Sequence, residues 1–264
     1  MKIKNIFHWI AAAVLLASIL ACNLGSTPGS TTTGSPSGDT SPTEAPAQSS
    51  TGASDACTNL LMPIKAGATW NYKLTGNISD TFTRSIVSTD GSSFTDQDVF
   101  GNGVSRQGKW NCDNGNLIAL NPSEGGSASV STDASVAVDF QTTELSGVTM
   151  PAVVNPGDTW TQSTTLEGIE TINGVEIPAK NQFSNTCTAI GKESVTVEAG
   201  TFDAMHLDCK VDMTITITMN GQDIQTPIKL NSSSWYAENI GLIKTVSTGT
   251  NLDSTIELVS YSIP

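Results

Sequence analysis

β-Branched and other apolar residues alternate with polar residues along most of the chain from residue 55 to residue 264. Turn dipeptides separate these short runs at Asp90-Gly91, Asn114-Gly115, Asn173-Gly174 and Asn220-Gly221. Such dipeptides favour tight β-hairpins. No segment of this region keeps a helical period, so the pattern predicts a mainly β, antiparallel meander.

The hairpin around Asn220-Gly221 allows individual residue pairs to be predicted. A type I′ turn pairs Met219 with Gln222, Ile217 with Ile224, Ile215 with Thr226, Met213 with Ile228, Asp212 with Lys229, and Val211 with Leu230. One face of the hairpin is then apolar and the other polar, which fixes the register. Pro227 lacks an N–H on the side away from its partner strand, which indicates a sheet edge or a bulge.

The same alternation continues upstream through Met205, Leu207 and Cys209. It predicts one long strand from Asp203 to Met219. At about 3.3 Å per residue this strand exceeds roughly 50 Å, so it must bend or coil. The predicted fold is therefore a curved sheet, a half-barrel or a barrel.

Two motifs recur in the same order along the chain. Gly67-Ala68-Thr69-Trp70 returns as Gly157-Asp158-Thr159-Trp160, and the stretch that begins at Trp110 is echoed by the one that begins at Trp235. The repetition predicts that the domain consists of two related halves, residues 60–125 and 150–264. Coincidence is the alternative, because the spacing between the motifs differs in the two halves.

The first residues of the chain predict export and a lipid anchor. Lys2 and Lys4 precede a short apolar run, which predicts a signal peptide over residues 1–21 and is too short to span a membrane. The run ends in Ile19-Leu20-Ala21-Cys22, which resembles the bacterial lipobox and implies that Cys22 carries lipid. An ordinary signal peptide with a chance cysteine is the alternative.

The segment after Cys22 is nearly all Ser, Thr, Gly, Pro and Ala as far as Ser54. This composition buries too little apolar surface to offset the entropy of ordering the chain. Residues 22–54 are therefore expected to be a lipidated, flexible spacer, and a glycosylated stalk is compatible with this role. The chain is expected to be extracytoplasmic and anchored by lipid to the cell membrane or the outer membrane.

Four cysteines remain in the domain: Cys57, Cys112, Cys187 and Cys209. An even number in an exported chain favours disulfides, and three pairings are possible. Because side chains alternate between the two faces of a strand, Cys187 and Cys209 are expected on neighbouring strands, both facing the core. We therefore favour a Cys187–Cys209 pair, which leaves Cys57 with Cys112.

Charge and histidine content argue against several functions. The chain has 25 acidic and 12 basic residues, so a nucleic acid partner is not expected. His206 is the only histidine beyond the signal peptide and faces away from the core by parity, as a solvated surface residue. Neither a metal cluster nor a nucleophilic triad is expected from this composition.

Carboxylates are the remaining candidates for catalysis. Asp96 and Asp98 lie near Asp90, and Glu167 lies near Glu170. Both groups have turn residues as neighbours, and nothing in the sequence indicates the burial that would raise a pKa. We expect no catalytic residue, no cofactor and no resident metal, with a loose calcium site as the alternative.

A segment of the second half resembles a known family. Val195-Thr196-Val197-Glu198-Ala199-Gly200-Thr201-Phe202 leads into the long strand, and Trp235-Tyr236-Ala237 and Gly241-Leu242-Ile243-Lys244 follow. Over residues 190–245 this pattern is similar to the TapB-like group of bacterial envelope lipoproteins, a domain of unknown function in which proline often replaces Glu198. The resemblance implies an exported, often lipid-anchored β protein without catalytic residues.

Aromatic residues at strand starts and in the repeated motifs are the candidate binding residues: Trp70, Tyr72, Trp110, Trp160, Trp235 and Tyr236. They could line an apolar cup, stack on sugars, or simply plug the ends of the sheet. The first functional hypothesis is a non-catalytic lipoprotein that binds a hydrophobic ligand or an envelope protein, through a pocket lined by Met213, Ile215, Ile217 and the tryptophans. A surface carbohydrate-binding or adhesive module is the alternative.

Overall fold

The computed structural model describes residues 56–121, 136–172, 174–219, 221–249 and 253–264. The predicted signal peptide, the lipid on Cys22 and the spacer over residues 22–54 lie outside the described residues. In the described part of the chain, no helix is long and apolar enough to cross a membrane.

The described residues form twelve strands in one antiparallel sheet. They are β1 Thr69–Gly76, β2 Asp80–Thr89, β3 Ser93–Phe100, β4 Ser105–Asp113, β5 Asn116–Ala119, β6 Val136–Gly147, β7 Thr159–Ile172, β8 Val175–Val197, β9 Gly200–Met219, β10 Gln222–Ala237, β11 Gly241–Gly249 and β12 Ser254–Ser262. Their order across the sheet is β5-β4-β3-β2-β1-β12-β11-β10-β9-β8-β7-β6. The strands of each half thus run as a meander, and β1 pairs with β12 to join the two.

The two ends of the sheet approach each other, so that the molecule is a nearly closed barrel. Leu117 of β5 and Met150 exchange two backbone hydrogen bonds of 2.8 and 3.1 Å. Gln162 of β7 also donates a hydrogen bond to the carbonyl of Ala119, at 2.8 Å. The predicted curved, barrel-like antiparallel fold is confirmed, and the described residues contain no helix.

The predicted hairpin register is confirmed pair by pair, from Met219 opposite Gln222 to Val211 opposite Leu230. The long strand is also confirmed, although β9 begins at Gly200 rather than at Asp203. Strand β11 pairs with β10 only from Leu230 onward. The segment before Leu230, which contains Pro227, is therefore a sheet edge among the described residues, as the missing N–H predicts.

The core fills the end of the barrel that holds the β2–β3, β4–β5 and β10–β11 turns. Residues 56–68 cover this closed end, where the side chain of Asn59 donates to the carbonyls of Gly115 and Pro151, both at 2.9 Å. The largest buried side chains of the core include Trp70, Tyr72, Phe82, Phe94, Phe100, Trp110, Leu117, Leu207, Ile243 and Leu258. An aromatic core of this kind holds the two halves together by burying apolar surface.

Both favoured disulfides are present. Cys57–Cys112 ties the covering segment to β4, and Cys187–Cys209 joins β8 to β9. Both bonds lie at the core, and disulfides of this kind are typical of proteins that fold in an oxidising compartment.

The repeated motifs occupy corresponding places in the two meanders. The Gly-x-Thr-Trp motif leads into β1 in the first half and into β7 in the second. The second motif forms the β4–β5 hairpin and the β10–β11 hairpin, whose turns contain Asn114 and Asn239 with positive φ. The relationship between the two halves stays a prediction.

Candidate functional site

Five strands continue beyond the core, and we call this part of the sheet the extension: residues 136–147, 162–172, 175–185, 211–219 and 222–230. In β8 and β9 its inner face has the parity of Cys187 and Cys209, which belong to the core. We call nine of the apolar residues on this face the apolar strip: Leu145, Val175, Phe183, Met213, Ile215, Ile217, Met219, Ile224 and Ile228. None of these side chains belongs to the core cluster.

The apolar strip is incompletely covered. Exposure reaches 37% for Leu145, 39% for Ile224, 41% for Met219 and 60% for Val175, and the other members are half-buried. Along β9 the strip runs from Met213 to Met219, about 20 Å at about 3.3 Å per residue. An apolar surface left in contact with water is typical of a binding face.

Polar groups interrupt the inner face beside the strip. Thr164 pairs with Phe183 across the β7–β8 ladder, and Asn181 pairs with Leu166 and with Ile215. Both polar side chains are buried, with exposures of 3% and 9%. The Oγ1 of Thr164 and the Oδ1 of Asn181 have no hydrogen-bond partner among the described residues. Buried polar atoms normally have a partner, so these two need an explanation.

Glu170 lies on the same inner face, opposite Ile177. Burial raises the pKa of its carboxyl above the usual value, because the charged form is poorly solvated there. Parity in the Asn173-Gly174 hairpin is the sequence signal that would have placed Thr164, Asn181 and Glu170 on the inner face.

A groove of about 580 Å³ crosses the same five strands. Its central row is Leu145, Thr164, Phe183, Met213 and Ile228, and the rows on each side are mostly hydroxylated or charged. Because side chains alternate along a strand, the side chains of these flanking rows point to the outer face of the sheet, opposite to the apolar strip. An exposed ion pair between Lys229 and Asp212, 2.8 Å apart, lies at one end.

Three of the predicted binding aromatics are core residues. Trp70, Tyr72 and Trp110 are each at least 96% buried. The indole of Trp70 donates to the carbonyl of Ile240 at 2.6 Å, and the hydroxyl of Tyr72 donates to the carbonyl of Leu242 at 3.0 Å. The structure therefore places these rings as plugs at the closed end, away from the apolar strip.

The other three aromatics, Trp160, Trp235 and Tyr236, are partly buried and pack against the core. The indole of Trp160 donates to the carbonyl of Thr149 at 3.1 Å. Trp235 stacks on His206, with ring centroids 4.6 Å apart. The expected pocket of Met213, Ile215, Ile217 and tryptophans does not form as a unit, because the tryptophans lie at the core and the aliphatic residues on the extension.

His206 is more enclosed than its sequence position suggests. Its side chain is 19% exposed, with Nδ1 3.2 Å from Glu193 and Nε2 3.0 Å from Asp208. His206 lies outside the core cluster, as expected of a surface histidine, but the Trp235 ring and two carboxylates cover part of it. Ser233 donates to Asp208 at 2.6 Å. The serine hydroxyl therefore hydrogen-bonds to the carboxylate of Asp208, whereas in a nucleophilic triad it would hydrogen-bond to the histidine that activates it.

The expectation that Asp96 and Asp98 are unburied is also wrong. Asp90 lies exposed at the β2–β3 turn, but Asp96 and Asp98 point into the barrel with exposures of 2% and 0%. Arg84 binds both oxygens of Asp98 at 2.9 Å. Burial opposes the charge of Arg84, but the adjacent Asp98 outweighs it, and the pKa of Arg84 lies above its usual value.

Asp96 stays partly unsatisfied beside this ion pair. Its pKa is raised to about 6, chiefly by burial and also by the nearby Asp98, while Arg84 and hydrogen bonds from Trp110 and Gly108 act against the rise. Its Oδ1 has no hydrogen-bond partner among the described residues. Within the described ranges, no group of three or more His, Cys, Asp or Glu side chains is placed to hold a metal ion.

The fold is similar to that of solved structures. A candidate lipoprotein from Parabacteroides distasonis has 17% sequence identity and a TM-score of 0.52, over 77% of this chain and 99% of the other. A candidate exported protein from Bacteroides fragilis with a YmcC-like fold has 17% identity and a TM-score of 0.49, over 78% and 100%. The hypothetical lipoprotein YmcC from Escherichia coli has 10% identity and a TM-score of 0.33, over 76% and 86%.

At these identities the similarity to the Parabacteroides protein shows a shared fold only. No curated protein matches the chain. The model of the DUF3108-like family matches residues 104–262. The narrower resemblance to the TapB-like group stays a prediction. Because the family match includes every strand from β4 to β12 and more than half of the 264 residues, the chain belongs to the DUF3108-like family.

Proposed function

We propose that this chain is a non-catalytic bacterial envelope lipoprotein that binds the acyl chain of a lipid on the apolar strip. The observation that carries the proposal is the position of the strip. Its side chains lie on the inner face of the sheet but outside the core, and four of them are more than a third exposed. An acyl chain would cover this surface and gain about 25 cal/mol for each Å² of apolar area removed from water.

The size of the strip supports an acyl chain as the occupant. The hydrocarbon core of a bilayer is about 30 Å thick, so one leaflet supplies chains of about 15 Å. The strip extends about 20 Å along β9, which is enough for one such chain. The lipid predicted on Cys22 would keep the domain next to a bilayer, where acyl chains are abundant.

The non-catalytic part of the proposal is argued from the contacts of the carboxylates and the serine that are most suited to catalysis. Asp98 is neutralised by Arg84, and the hydroxyl of Ser233 is bonded to Asp208 rather than to His206. Asp96 is buried inside the barrel. These contacts support structural roles for the groups most suited to catalysis.

Photocrosslinking in a membrane tests the proposal. The full chain would be reconstituted into phosphatidylcholine vesicles whose acyl chains carry a diazirine, irradiated, and mapped by peptide mass spectrometry. We expect crosslinks on the strip segments of β8, β9 and β10. Crosslinks that are absent, or confined to the outer face, would contradict acyl-chain binding.

Two neighbouring substitutions in β9 provide a matched comparison. Met213→Glu places a charge on the apolar strip, and Thr214→Glu places the same charge on the opposite face. Burying a carboxylate against an acyl chain is costly, so only Met213→Glu should reduce the crosslink yield. Equal yields from the two variants would show that the strip is not the binding face.

The anchor is tested separately. Radiolabelled palmitate should be incorporated into the native chain and not into Cys22→Ser. Incorporation that survives Cys22→Ser would refute lipidation at this position. It would not affect the test of acyl-chain binding, which depends on the crosslinks alone.

The polar flanking rows of the groove favour a second candidate function, a carbohydrate-binding module. Ser163, Ser184, Thr165 and Thr214 present hydroxyl groups along it, and Gln182 adds an amide. Such groups can hydrogen-bond a polyol. Glycan-array binding that is lost in Gln182→Ala would support this function, and a silent array would count against it.

A further inference from the structure

The unpaired polar atoms beside the apolar strip indicate what kind of acyl chain fits there. Rows of paired residues connect them to the strip: Thr164 shares a row with Phe183 and Met213, and Asn181 shares the next row with Ile215. Paired residues point to the same face of a sheet, so both polar side chains are aimed into the binding face of the proposed function.

Solvent does not satisfy these atoms. Thr164 and Asn181 are 97% and 91% buried, and each unpaired oxygen is itself withdrawn from solvent. Apolar neighbours surround them in the sheet, including Leu166, Phe183 and Ile215. A buried polar atom without a partner destabilises the fold, so a ligand group that hydrogen-bonds to it gains more than it would at a solvated site.

The two atoms have complementary needs. The amide oxygen of Asn181 can only accept a hydrogen bond, whereas the hydroxyl of Thr164 can donate one or accept one. The residues are diagonal neighbours across the β7–β8 ladder, a relation that places them about 7–8 Å apart. One amide group offers an N–H and a carbonyl in a single plane, and can serve a donor and an acceptor at such a separation.

We infer that the strip prefers an acyl chain carried in amide linkage, whose N–H donates to Oδ1 of Asn181 and whose carbonyl accepts from Oγ1 of Thr164. This inference rests on the proposed function and adds the linkage of the ligand to it. An ester-linked chain offers only acceptors, so it would satisfy Thr164 and leave Asn181 unpaired.

A competition experiment with the full chain in the diazirine vesicles tests the linkage. Dodecanamide and methyl dodecanoate have the same chain length and no charge, and each would be titrated to the concentration that halves the crosslink yield. The two compounds partition differently into membranes, so their half-maximal concentrations are not compared directly. The ratio of the two half-maximal concentrations is measured for the native chain and then for each variant, and these ratios are compared.

The variants are Asn181→Leu and Thr164→Val, which remove the polar atoms and keep similar volumes. We expect the native ratio to favour dodecanamide about tenfold more than the ratio in Asn181→Leu. Thr164→Val should weaken both compounds, because both carry a carbonyl. Urea unfolding should show that neither variant is less stable than the native chain, since each removes an unpaired buried group.

The outcomes separate the two proposals. If both compounds compete and the ratio is the same in the native chain and in Asn181→Leu, the amide preference is wrong and acyl-chain binding stands. If neither compound competes and the vesicle crosslinks are absent from the strip, acyl-chain binding itself is wrong.

Discussion

Replacing Asp96 by asparagine is expected to remove a loss of stability that the native domain undergoes as the pH rises. In the folded protein Asp96 is buried next to Asp98, and its pKa is raised to about 6 from an ordinary value of 3.8. In the unfolded chain the carboxyl has its ordinary pKa. Between these two values the folded state holds a proton that the unfolded state has released, so rising pH favours unfolding.

The size of the effect follows from the difference between the two pKa values. The shift is about 2 units, and each unit corresponds to 1.36 kcal/mol, which gives about 3 kcal/mol. This stability is present below about pH 4, is lost as the pH rises to about 6, and is absent at pH 7. Asparagine resembles the protonated carboxyl and cannot ionise. Asp96→Asn should therefore match the native domain near pH 4 and exceed its stability by about 3 kcal/mol at pH 7.

Urea unfolding at several pH values between 4 and 7.5 measures the difference, with tryptophan fluorescence as the signal and the disulfides intact. Asp90→Asn is the matched control in the same hairpin. Hydrogen bonds from Ser92 and Ser93 lower the pKa of Asp90 to about 2, so its substitution should change stability by a constant amount across this range. Parallel curves for the native domain and Asp96→Asn would refute the assigned burial of an ionisable Asp96.

Three further predictions concern the sheet. The double variant Cys187→Ser, Cys209→Ser opens a cross-link between residues 22 positions apart and should lower the free energy of unfolding by about 3 kcal/mol in urea; an unchanged midpoint would contradict this. Gly168→Ala should cost about 1–3 kcal/mol and speed amide hydrogen exchange in β6, because a Cβ there would collide with the backbone carbonyl of Asp139; native-like exchange would argue against it. Pro227→Val restores an N–H on the free edge of β10 and should promote self-association in sedimentation velocity, whereas a monomer at every concentration would show that the edge is protected by other means.

Local pairing could be predicted from the sequence to the residue. A turn dipeptide sets the register of a hairpin, and alternation then assigns every side chain to a face. The β9–β10 pairs and the neighbouring positions of Cys187 and Cys209 agree with these rules. Each of these contacts spans a single turn, so it does not depend on distant strands.

Alternation along other strands also indicates which polar side chains are buried. Phe94, Asp96, Asp98 and Phe100 alternate in β3, so both carboxylates share a face with two phenylalanines. The Asn173-Gly174 hairpin likewise places polar residues on the inner face of the extension. In both cases the apolar residues on the same face as the carboxylate or amide indicate that the polar group is buried.

The position of the core could not be predicted from hairpin turns and alternation. It depends on the pairing of β1 with β12 and on the contact of β5 with Met150, which join residues far apart in the sequence. Hairpin rules do not determine which rows of side chains meet across a barrel. For that reason the predicted aromatics lie at the closed end, whereas the incompletely covered apolar surface lies on the extension.

The pairing of β1 with β12 also determines when folding can finish. These strands come from opposite ends of the domain, so the ladder between them cannot form until nearly all of the chain is available. Contacts between such distant segments slow folding, because a long loop must close before they form. A chain that stops short of β12 would leave one edge of β1 and one edge of β11 unpaired and open to aggregation, even where the hairpins between them have formed.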